Sequence, residues 1–256
     1  MNSLAEKILF AEKSRTHLFS VGQAGYIIKS SSGQLLCIDL YLSECVERIE
    51  GNVGFKRLLP KLLSPFDLVF DCIIATHPHY DHFDMDSLPQ MMSNQKSKLF
   101  ASVKCKKEVD RLKMLDTNVC YVSPGNSFAC GDFKLNFINC DHGTGAPDAV
   151  GVIITVDGKN ILCTGDTCLR LDRKDEYLSS GKIDILIAPI NGAYGNLNEK
   201  ECALLADLLK PKLTIPSHYG MFASHGGNLG EFYRIMKEEF PGNNFLIMCQ
   251  GEQYTF

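Results

Sequence analysis

The sequence predicts an α/β protein of the α+β kind, a four-layer αββα sandwich in which two packed sheets lie between layers of helices. A chain of 256 residues, 45% hydrophobic and 22% charged, can bury a large core of its own. Hairpin patterns occur in both halves and require antiparallel pairs, which disfavours a purely parallel sheet. Strand and helix units follow the hairpins in each half, as expected for layered sheets and helices. We find no repeat or linker, so we expect one domain over residues 1–256.

In the first half, short β-type runs separated by turns predict a hairpin and a buried strand. Residues 25–29 and 34–40 flank the turn segment 30–33 and form the predicted hairpin. Residues 71–75 are apolar and predict a buried strand that ends at a histidine cluster. Residues 104–115 have helical spacing of apolar side chains. The histidine cluster therefore falls where a strand passes into a loop.

The second half repeats this plan. Asp157 and Gly158 predict the turn of a second hairpin. Asn198, with Glu201 three residues later, predicts the capping box of a helix that ends before Pro211. Strands are predicted at 134–139, 150–156, 160–164, 183–189 and 213–216.

Charge and composition exclude several classes of function. There are 26 Lys plus Arg against 30 Asp plus Glu, a formal charge of -4, so the excess of positive charge typical of nucleic-acid binders is missing. No apolar stretch approaches the roughly 18 residues of a membrane span, and residues 8–10 are too short for a signal-peptide core. The eleven cysteines contain no CxxC pair and lie mostly in apolar runs, which favours a reducing compartment. We expect a cytoplasmic protein without a nucleic-acid or membrane partner.

The strongest motif is an HxHxDH run at residues 76–82, directly after the apolar strand 71–75. Imidazole and carboxylate are ligands of Zn²⁺ and related divalent ions. His77 and His79 alternate along an extended segment, so they point the same way and can chelate one ion. Asp81 and His82 can face a second ion. Two adjacent ions supply a hydroxide at neutral pH and polarise a substrate oxygen, which is hydrolytic chemistry.

Three further candidate ligands follow predicted strands later in the chain. They are His142 or its neighbour Asp141, then Asp166 in a Gly-Asp pair, then His218. Taken singly, each would more often be a loop residue or a buried core histidine. Their shared position after strands favours a common site.

These motifs, in this order, resemble those of the metallo-β-lactamase-fold hydrolases, whose fold is the αββα sandwich predicted above. Asp39 matches the first motif of that family, where it orders the metal loop from behind the ligands. The matching motifs span residues 39 to 218. The resemblance implies that His77, His79 and His142 hold a first metal, that Asp81, His82 and His218 hold a second, and that Asp166 bridges both.

Within this superfamily, residues 22–26, 38–43, 55–60 and 190–192 are similar to the L-ascorbate-6-phosphate lactonase-like branch. In those lactonases an Asp can replace the His of the third motif, so the resemblance leaves open whether Asp141 or His142 is the ligand there. More carboxylate favours manganese over zinc. We therefore expect one or two divalent ions, zinc or manganese.

Other residues near the motifs are candidates for substrate contacts. Lys56 and Arg57 could bind a substrate phosphate, or belong to a solvated helix face. Asn191 and Tyr219 could hydrogen-bond the substrate or a developing oxyanion, or only shape turns. Tyr219 is also a candidate donor of the leaving-group proton.

The catalytic residues predicted from the sequence are Asp81, Asp166 and Tyr219, in the roles of nucleophile orientation, metal bridging and proton donation. Of the remaining histidines, His17 is predicted to be structural. His225 is predicted to be either an extra residue of the pocket or, as the favoured interpretation, part of a mobile loop.

We therefore predict a metal-dependent hydrolase that uses a metal-bound hydroxide on a lactone or ester of a small, phosphorylated metabolite. The alternative is a phosphodiesterase or nuclease of the same fold, but no Lys/Arg run lies beside the motifs to hold a polyanion. A non-catalytic binding protein would be expected to have lost ligands, whereas every ligand position here is filled. The expected partner is a small-molecule substrate, and a homo-oligomer is compatible with the sequence.

Overall fold

The structure is a computed structural model that describes residues 3–256, without the side chains of residues 52 and 53. Within that range the strands form a seven-stranded and a six-stranded sheet. The strands are β1 (His17–Gly22), β2 (Gly25–Lys29), β3 (Leu35–Ile38), β4 (Cys72–Ala75), β5 (Lys98–Ser102), β6 (Val119–Val122), β7 (Ser127–Cys130), β8 (Phe133–Asn139), β9 (Val150–Val156), β10 (Lys159–Cys163), β11 (Ile185–Pro189), β12 (Leu213–Ser217) and β13 (Gln253–Thr255).

The two sheets share one plan. The first has the order β13-β1-β2-β3-β4-β5-β6, antiparallel from β13 to β3 and parallel from β3 to β6. The second has the order β12-β11-β10-β9-β8-β7, antiparallel from β7 to β10 and parallel from β10 to β12. The two predicted hairpins, β2-β3 and β9-β10, are therefore confirmed.

The helices are α1 (Leu4–Leu9), α2 (Cys45–Glu50), α3 (Asn52–Phe55), α4 (Leu88–Met92), α5 (Cys105–Arg111), α6 (Lys174–Tyr177), α7 (Glu199–Leu209) and α8 (Leu229–Glu238). Helices α1, α4 and α5 pack on the outer face of the first sheet and α6, α7 and α8 on that of the second, whereas α2 and α3 pack beside the site edge. The capping box predicted for Asn198 and Glu201 is present at the start of α7. No helix within residues 3–256 has the length and apolar character needed to cross a bilayer.

Successive side chains of a strand point to opposite faces of its sheet, and this alternation produces the layers. In β2, Ile28 packs between the sheets, whereas Ile27 packs outward against the helices α1, α4 and α5. In β9, Ile154 packs between the sheets and Ile153 packs outward against α7 and α8. One apolar core thus lies between the sheets and one lies under each helical layer, which is the predicted αββα sandwich.

Local sequence patterns located some elements and missed others. The helix predicted at 104–115 is shorter, because Leu112 is its C-cap and Lys113 adopts a positive φ of 52°. Strands β1, β5, β6, β7 and β13 and helix α8 were not predicted. In β6 and β7 most side chains are half-buried or exposed, so the apolar pattern is weak there.

The topology brings the motif loops to one edge. Residues 76–82 follow β4 in the first sheet, and the other candidate ligands follow β8, β10 and β12 in the second. The backbone joins the sheets here, since Val150 N–H donates to Thr76 O at 3.1 Å and His218 N–H donates to Gln23 O at 2.9 Å. The carboxyl ends of strands from both sheets therefore meet at a single site.

Candidate metal centre

Three imidazoles converge in a first group, the imidazole triad of His77, His79 and His142. Nε2 of His77 lies 2.9 Å from Nδ1 of His79, which lies 3.2 Å from Nε2 of His142. Nitrogens bound tetrahedrally to one ion at about 2.0 Å lie roughly 3.3 Å apart. The spacing of the triad fits a single divalent ion among these nitrogens.

A second group, the carboxylate triad, consists of Asp81, His82 and His218. Oδ2 of Asp81 lies 3.4 Å from Nε2 of His218 and 3.6 Å from Nε2 of His82. In each triad the candidate ligand atoms all lie within 4.8 Å of one another, and all three residues of this second triad are buried. The six predicted ligands thus form the two sets implied by the sequence.

Asp166 lies between the two triads. Its Oδ2 is 3.0 Å from Nε2 of His218, 3.3 Å from Nε2 of His82 and 3.9 Å from Nε2 of His142. One carboxylate therefore reaches imidazoles of both sets, as its predicted bridging position requires.

Asp39 fixes the orientation of His82 from behind. It accepts hydrogen bonds from the backbone N–H and the hydroxyl of Thr76, at 2.8 and 2.7 Å, and its Oδ2 lies 2.8 Å from Nδ1 of His82. With a metal bound, this arrangement would keep the ring proton of His82 on Nδ1 and direct the Nε2 lone pair into the site. Nε2 is buried and has no hydrogen-bond partner among residues 3–256, which is what a missing cation would leave.

Two amides orient the carboxylates. Nε2 of Gln23 donates to Oδ2 of Asp81 at 2.9 Å, and Nδ2 of Asn196 donates to Oδ2 of Asp166 at 2.8 Å. Asn196 in turn donates to Oδ1 of Asn191 at 3.1 Å. The sequence prediction missed both amides; Gln23 lies in a segment noted only for its resemblance, and no sequence signal pointed to Asn196.

Unusual backbone conformations place two of these ligands. His218 has a positive φ of 64°, a region that costs a non-glycine residue energy and is retained where surrounding contacts impose it. Gly165, before Asp166, has a φ of 66°, and a Cβ there would lie 2.9 Å from Val150 O. Only glycine fits that position, so the Gly-Asp pair is a steric requirement of the site.

The electrostatics of the carboxylate triad favour a cation. Burial raises the pKa of Asp166, but His218 and His82 outweigh it and hold that pKa well below its ordinary value. Burial lowers the pKa of His218, yet Asp166 and Asp81 raise it to about 9. Burial also lowers the pKa of His82, but the carboxylates of Asp166, Asp81 and Asp39 outweigh it and hold that pKa well above its ordinary value. Protons on these histidines occupy the place that a divalent ion would take.

The imidazole triad behaves differently. Burial, with repulsion from His82, lowers the pKa of His77 well below its ordinary value. Burial lowers the pKa of His142 to about 4 despite the nearby Asp166. These rings are neutral, which is the state that binds a metal. The donor set of both triads therefore fits one or two divalent ions.

A cavity of about 830 Å³ opens above the two triads. Its floor includes His79, His142, Asp166 and His218. Its size falls within the range of small-molecule sites, roughly 300–1,000 Å³. A small substrate can therefore reach the candidate metal centre.

The structure decides between the two residues of the third motif. His142 points into the imidazole triad, whereas Oδ2 of Asp141 accepts a hydrogen bond from Arg170 at 2.7 Å and lies outside every candidate ligand group. Successive residues of an extended segment point to opposite sides, so only one of the two can face the site. That residue is His142.

The structure places neither Lys56 nor Arg57, the two predicted phosphate contacts, in the lining of the cavity. Arg57 is 8% exposed, and its guanidinium donates to the carbonyl oxygens of Tyr41, Ser43, Leu59 and Pro60. Lys56 is exposed, and neither residue lines the cavity. Arg57 is occupied by the backbone and has a structural role.

The roles predicted for Tyr219 and Asn191 also change. The Tyr219 hydroxyl donates to Met248 O at 2.6 Å, so its proton is engaged away from the cavity, which this tyrosine does not line. Asn191 does not line the cavity either, and it acts on the site only through Asn196. Their place next to motif residues in the sequence gave no information on where the side chains point.

His225 is not the mobile loop residue that was predicted. It is 7% exposed, lines the cavity, and stacks on His218 with ring centroids 5.2 Å apart. Burial lowers its pKa to about 4. His17 is structural as predicted: its ring nitrogens lie 2.9 Å from Oγ1 of Thr255 and 2.7 Å from Glu12 O.

The two-sheet fold and the His/Asp clusters at its edge define a metal-dependent hydrolase of the metallo-β-lactamase fold. The profile of the beta-lactamase superfamily domain matches residues 17–218. The chain belongs to this superfamily. The resemblance stated from the motifs is thereby confirmed at the level of the superfamily, and its lactonase-like branch stays a prediction.

Similar proteins agree with this assignment. A UPF0173 metal-dependent hydrolase of Sulfurisphaera tokodaii is 30% identical over 223 residues, 80% of this chain and 93% of the relative. A UPF0173 metal-dependent hydrolase of Saccharolobus solfataricus is 27% identical over 211 residues, 81% of this chain and 90% of the relative. Igni18, a metallo hydrolase of Ignicoccus hospitalis, shares the fold with a TM-score of 0.73 at 22% identity, covering 94% of this chain and 98% of that one.

Proposed function

We propose that this hydrolase cleaves a lactone or an ester of a small anionic metabolite, with one or two zinc or manganese ions at the two triads. We place the reaction in the cytoplasm, because eleven cysteines without a CxxC pair suit a reducing compartment. The observation that carries the proposal is the position of Asp166 Oδ2, which is 3.0 Å from His218 and 3.9 Å from His142 beneath a cavity of small-molecule size.

The ions would be held by the six histidine and aspartate ligands together with Asp166, and would supply polarisation of the substrate oxygen and a lowered pKa for water. The protein's own residues fix this geometry. Asp39 sets the tautomer of His82, Gln23 orients Asp81, and Asn196 orients Asp166. Groups oriented before the substrate arrives cost little reorganisation during the reaction.

The prediction of a phosphate group on the substrate came from the resemblance to the lactonase-like branch, and its candidate contacts, Lys56 and Arg57, do not line the cavity. The cations that do line the cavity are Lys104 and Lys107. An anionic group of the substrate would therefore be bound by these two lysines.

The test is a screen of the purified protein, loaded with Zn²⁺ or Mn²⁺, against phospho-sugar lactones, aryl esters and bis(4-nitrophenyl) phosphate. We expect turnover of lactones or esters, lost in His79→Ala, with circular dichroism showing that the variant is folded. Turnover of the diester alone would overturn the proposal in favour of a phosphodiesterase. No turnover of any lactone or ester by the loaded protein would also refute it.

A further inference from the structure

We propose that the substrate is an amphiphilic anion that lies across the metal centre, with its apolar group against Phe55, Tyr194 and His225 and its anionic group beside Lys104 and Lys107. The inference builds on the proposed function, since it concerns the same cavity, and it names the class of substrate that the two walls of this cavity select.

The aromatic wall lies on the side of the carboxylate triad. The ring centroid of His225 is 5.0 Å from that of Tyr194 and 5.8 Å from that of Phe55, and the ring also stacks on His218. Tyr194 is 56% exposed although it packs against this cluster. Its open face is apolar surface at a cavity wall, which an apolar substrate group would cover.

The basic edge is formed by Lys104 and Lys107, at the start of α5. Two other basic residues nearby are already paired: Lys106 lies 2.9 Å from Asp110, and Arg111 donates to Glu108 at 2.8 Å. Within residues 3–256, no carboxylate lies within ion-pair distance of Lys104 or Lys107. Both side chains are exposed at the cavity wall, so their charges are available to a ligand.

The basic edge lies on the side of the imidazole triad. The backbone N–H of Lys104 donates to Oδ2 of Asp148 at 2.6 Å. Asp148 belongs to the loop after His142, and a Cβ on Gly145 in that loop would lie 3.6 Å from Nε2 of His79. The start of α5 is thus attached to the loop that covers His79 and His142.

The charges of the two walls give the ligand one orientation. Glu50 lines the cavity beside Val46, whose packing cluster includes Phe55 and Phe222 on the aromatic side. An anionic group would be repelled by Glu50 and attracted by Lys104 and Lys107, because the Glu108 carboxylate at the same edge is paired with Arg111. An apolar group gains most contact area at the aromatic wall, since the basic edge offers only the side chain of Val103. The bond that connects the two groups then lies over Asp166.

The test compares two fluorescent probes that share one aromatic skeleton, 1-anilinonaphthalene-8-sulfonate and its neutral counterpart N-phenyl-1-naphthylamine, on the metal-loaded protein. We expect the sulfonate to bind more tightly at low salt. Lys104→Gln/Lys107→Gln should weaken the sulfonate by about fivefold to tenfold and leave the neutral probe unchanged, because each exposed ion pair contributes up to about 1 kcal/mol.

The matched control is Lys56→Gln/Lys96→Gln, which removes the same charge from exposed lysines outside the cavity and should change neither affinity. Tyr194→Ser should weaken both probes by roughly threefold to fivefold through lost apolar contact. Equal effects of the two double variants on the sulfonate, or unchanged binding of both probes in Tyr194→Ser, would overturn the inference. Binding is read without turnover, so a failed activity screen refutes the proposed function and leaves this result intact.

Discussion

The two triads use similar residues in opposite electrostatic states. In the imidazole triad, burial lowers the pKa of His77, His79 and His142, and the rings are neutral. In the carboxylate triad, Asp81 and Asp166 raise the pKa of His218 to about 9 against the effect of burial. The first triad therefore presents lone pairs to a cation directly, whereas the second must exchange protons for it.

The triads also differ in their support. Nδ1 of His77 lies 3.1 Å from the hydroxyl of Thr76, and Nδ1 of His142 has no hydrogen-bond partner among residues 3–256. In the carboxylate triad, by contrast, Asp39 and Gln23 hold the ligands. The imidazole triad is therefore held mainly by its backbone loops. The carboxylate triad is held by side-chain hydrogen bonds, which single substitutions can remove.

The largest effect is expected from Asp166→Asn, since the Asp166 carboxylate lies within 3.9 Å of imidazoles of both triads. An amide cannot present two anionic oxygens to two cations, so kcat should fall by more than about 100-fold, beyond the 10–100-fold typical of residues behind the ligands. Steady-state kinetics with metal analysis measures this. Asp141→Asn is the matched control, with an expected change below about twofold, and near-normal kcat in Asp166→Asn would contradict the bridging position.

Asp39→Asn is expected to weaken metal binding at the carboxylate triad and to leave the imidazole triad unchanged. The amide no longer stabilises His82 in the tautomer that directs Nε2 into the site, so metal affinity should fall by about 10–100-fold. Competition with a chromogenic chelator gives the affinity, and Asp157→Asn, at a carboxylate far from the metal loop in sequence, serves as control. Equal loss of both bound ions would show that the triads are not independent in their support.

Arg57→Met tests whether the arginine supports the segment after Asp39 or binds substrate. Removing it leaves the buried carbonyls of Tyr41 and Ser43 without this donor, so the free energy of unfolding should fall by about 2–3 kcal/mol. Urea titration measures the loss. KM should be unchanged; a raised KM with unaltered stability would restore the substrate-binding role.

The smallest effect is expected from Tyr219→Phe, next to His218 in the carboxylate triad. The substitution removes one hydrogen bond to Met248 O and should cost about 1 kcal/mol of stability. Because the hydroxyl does not reach the cavity, kcat should stay within about twofold of the parent protein. A large drop in kcat at unchanged stability would return Tyr219 to the catalytic residues.

Several features follow from local rules and could be predicted from the sequence. Residues 76–82 form a contiguous ligand segment, the turn at Asp157 and Gly158 closes a hairpin, and Asn198 with Glu201 caps a helix. Each depends on residues a few positions apart, so spacing alone carries the information. That the candidate ligands form a common site was predicted from their shared position after strands.

The directions of the side chains, in contrast, depend on tertiary contacts. Asp141 and His142 are neighbours in the sequence, and the fold turns His142 into the imidazole triad and Asp141 towards Arg170. Gln23 and Asn196 reach the carboxylates from segments 58 and 30 positions away. Arg57 turns to backbone carbonyls because a buried guanidinium needs acceptors, a demand set by packing and not by its neighbours in the chain. Such contacts depend on how the two sheets meet, which no local pattern encodes.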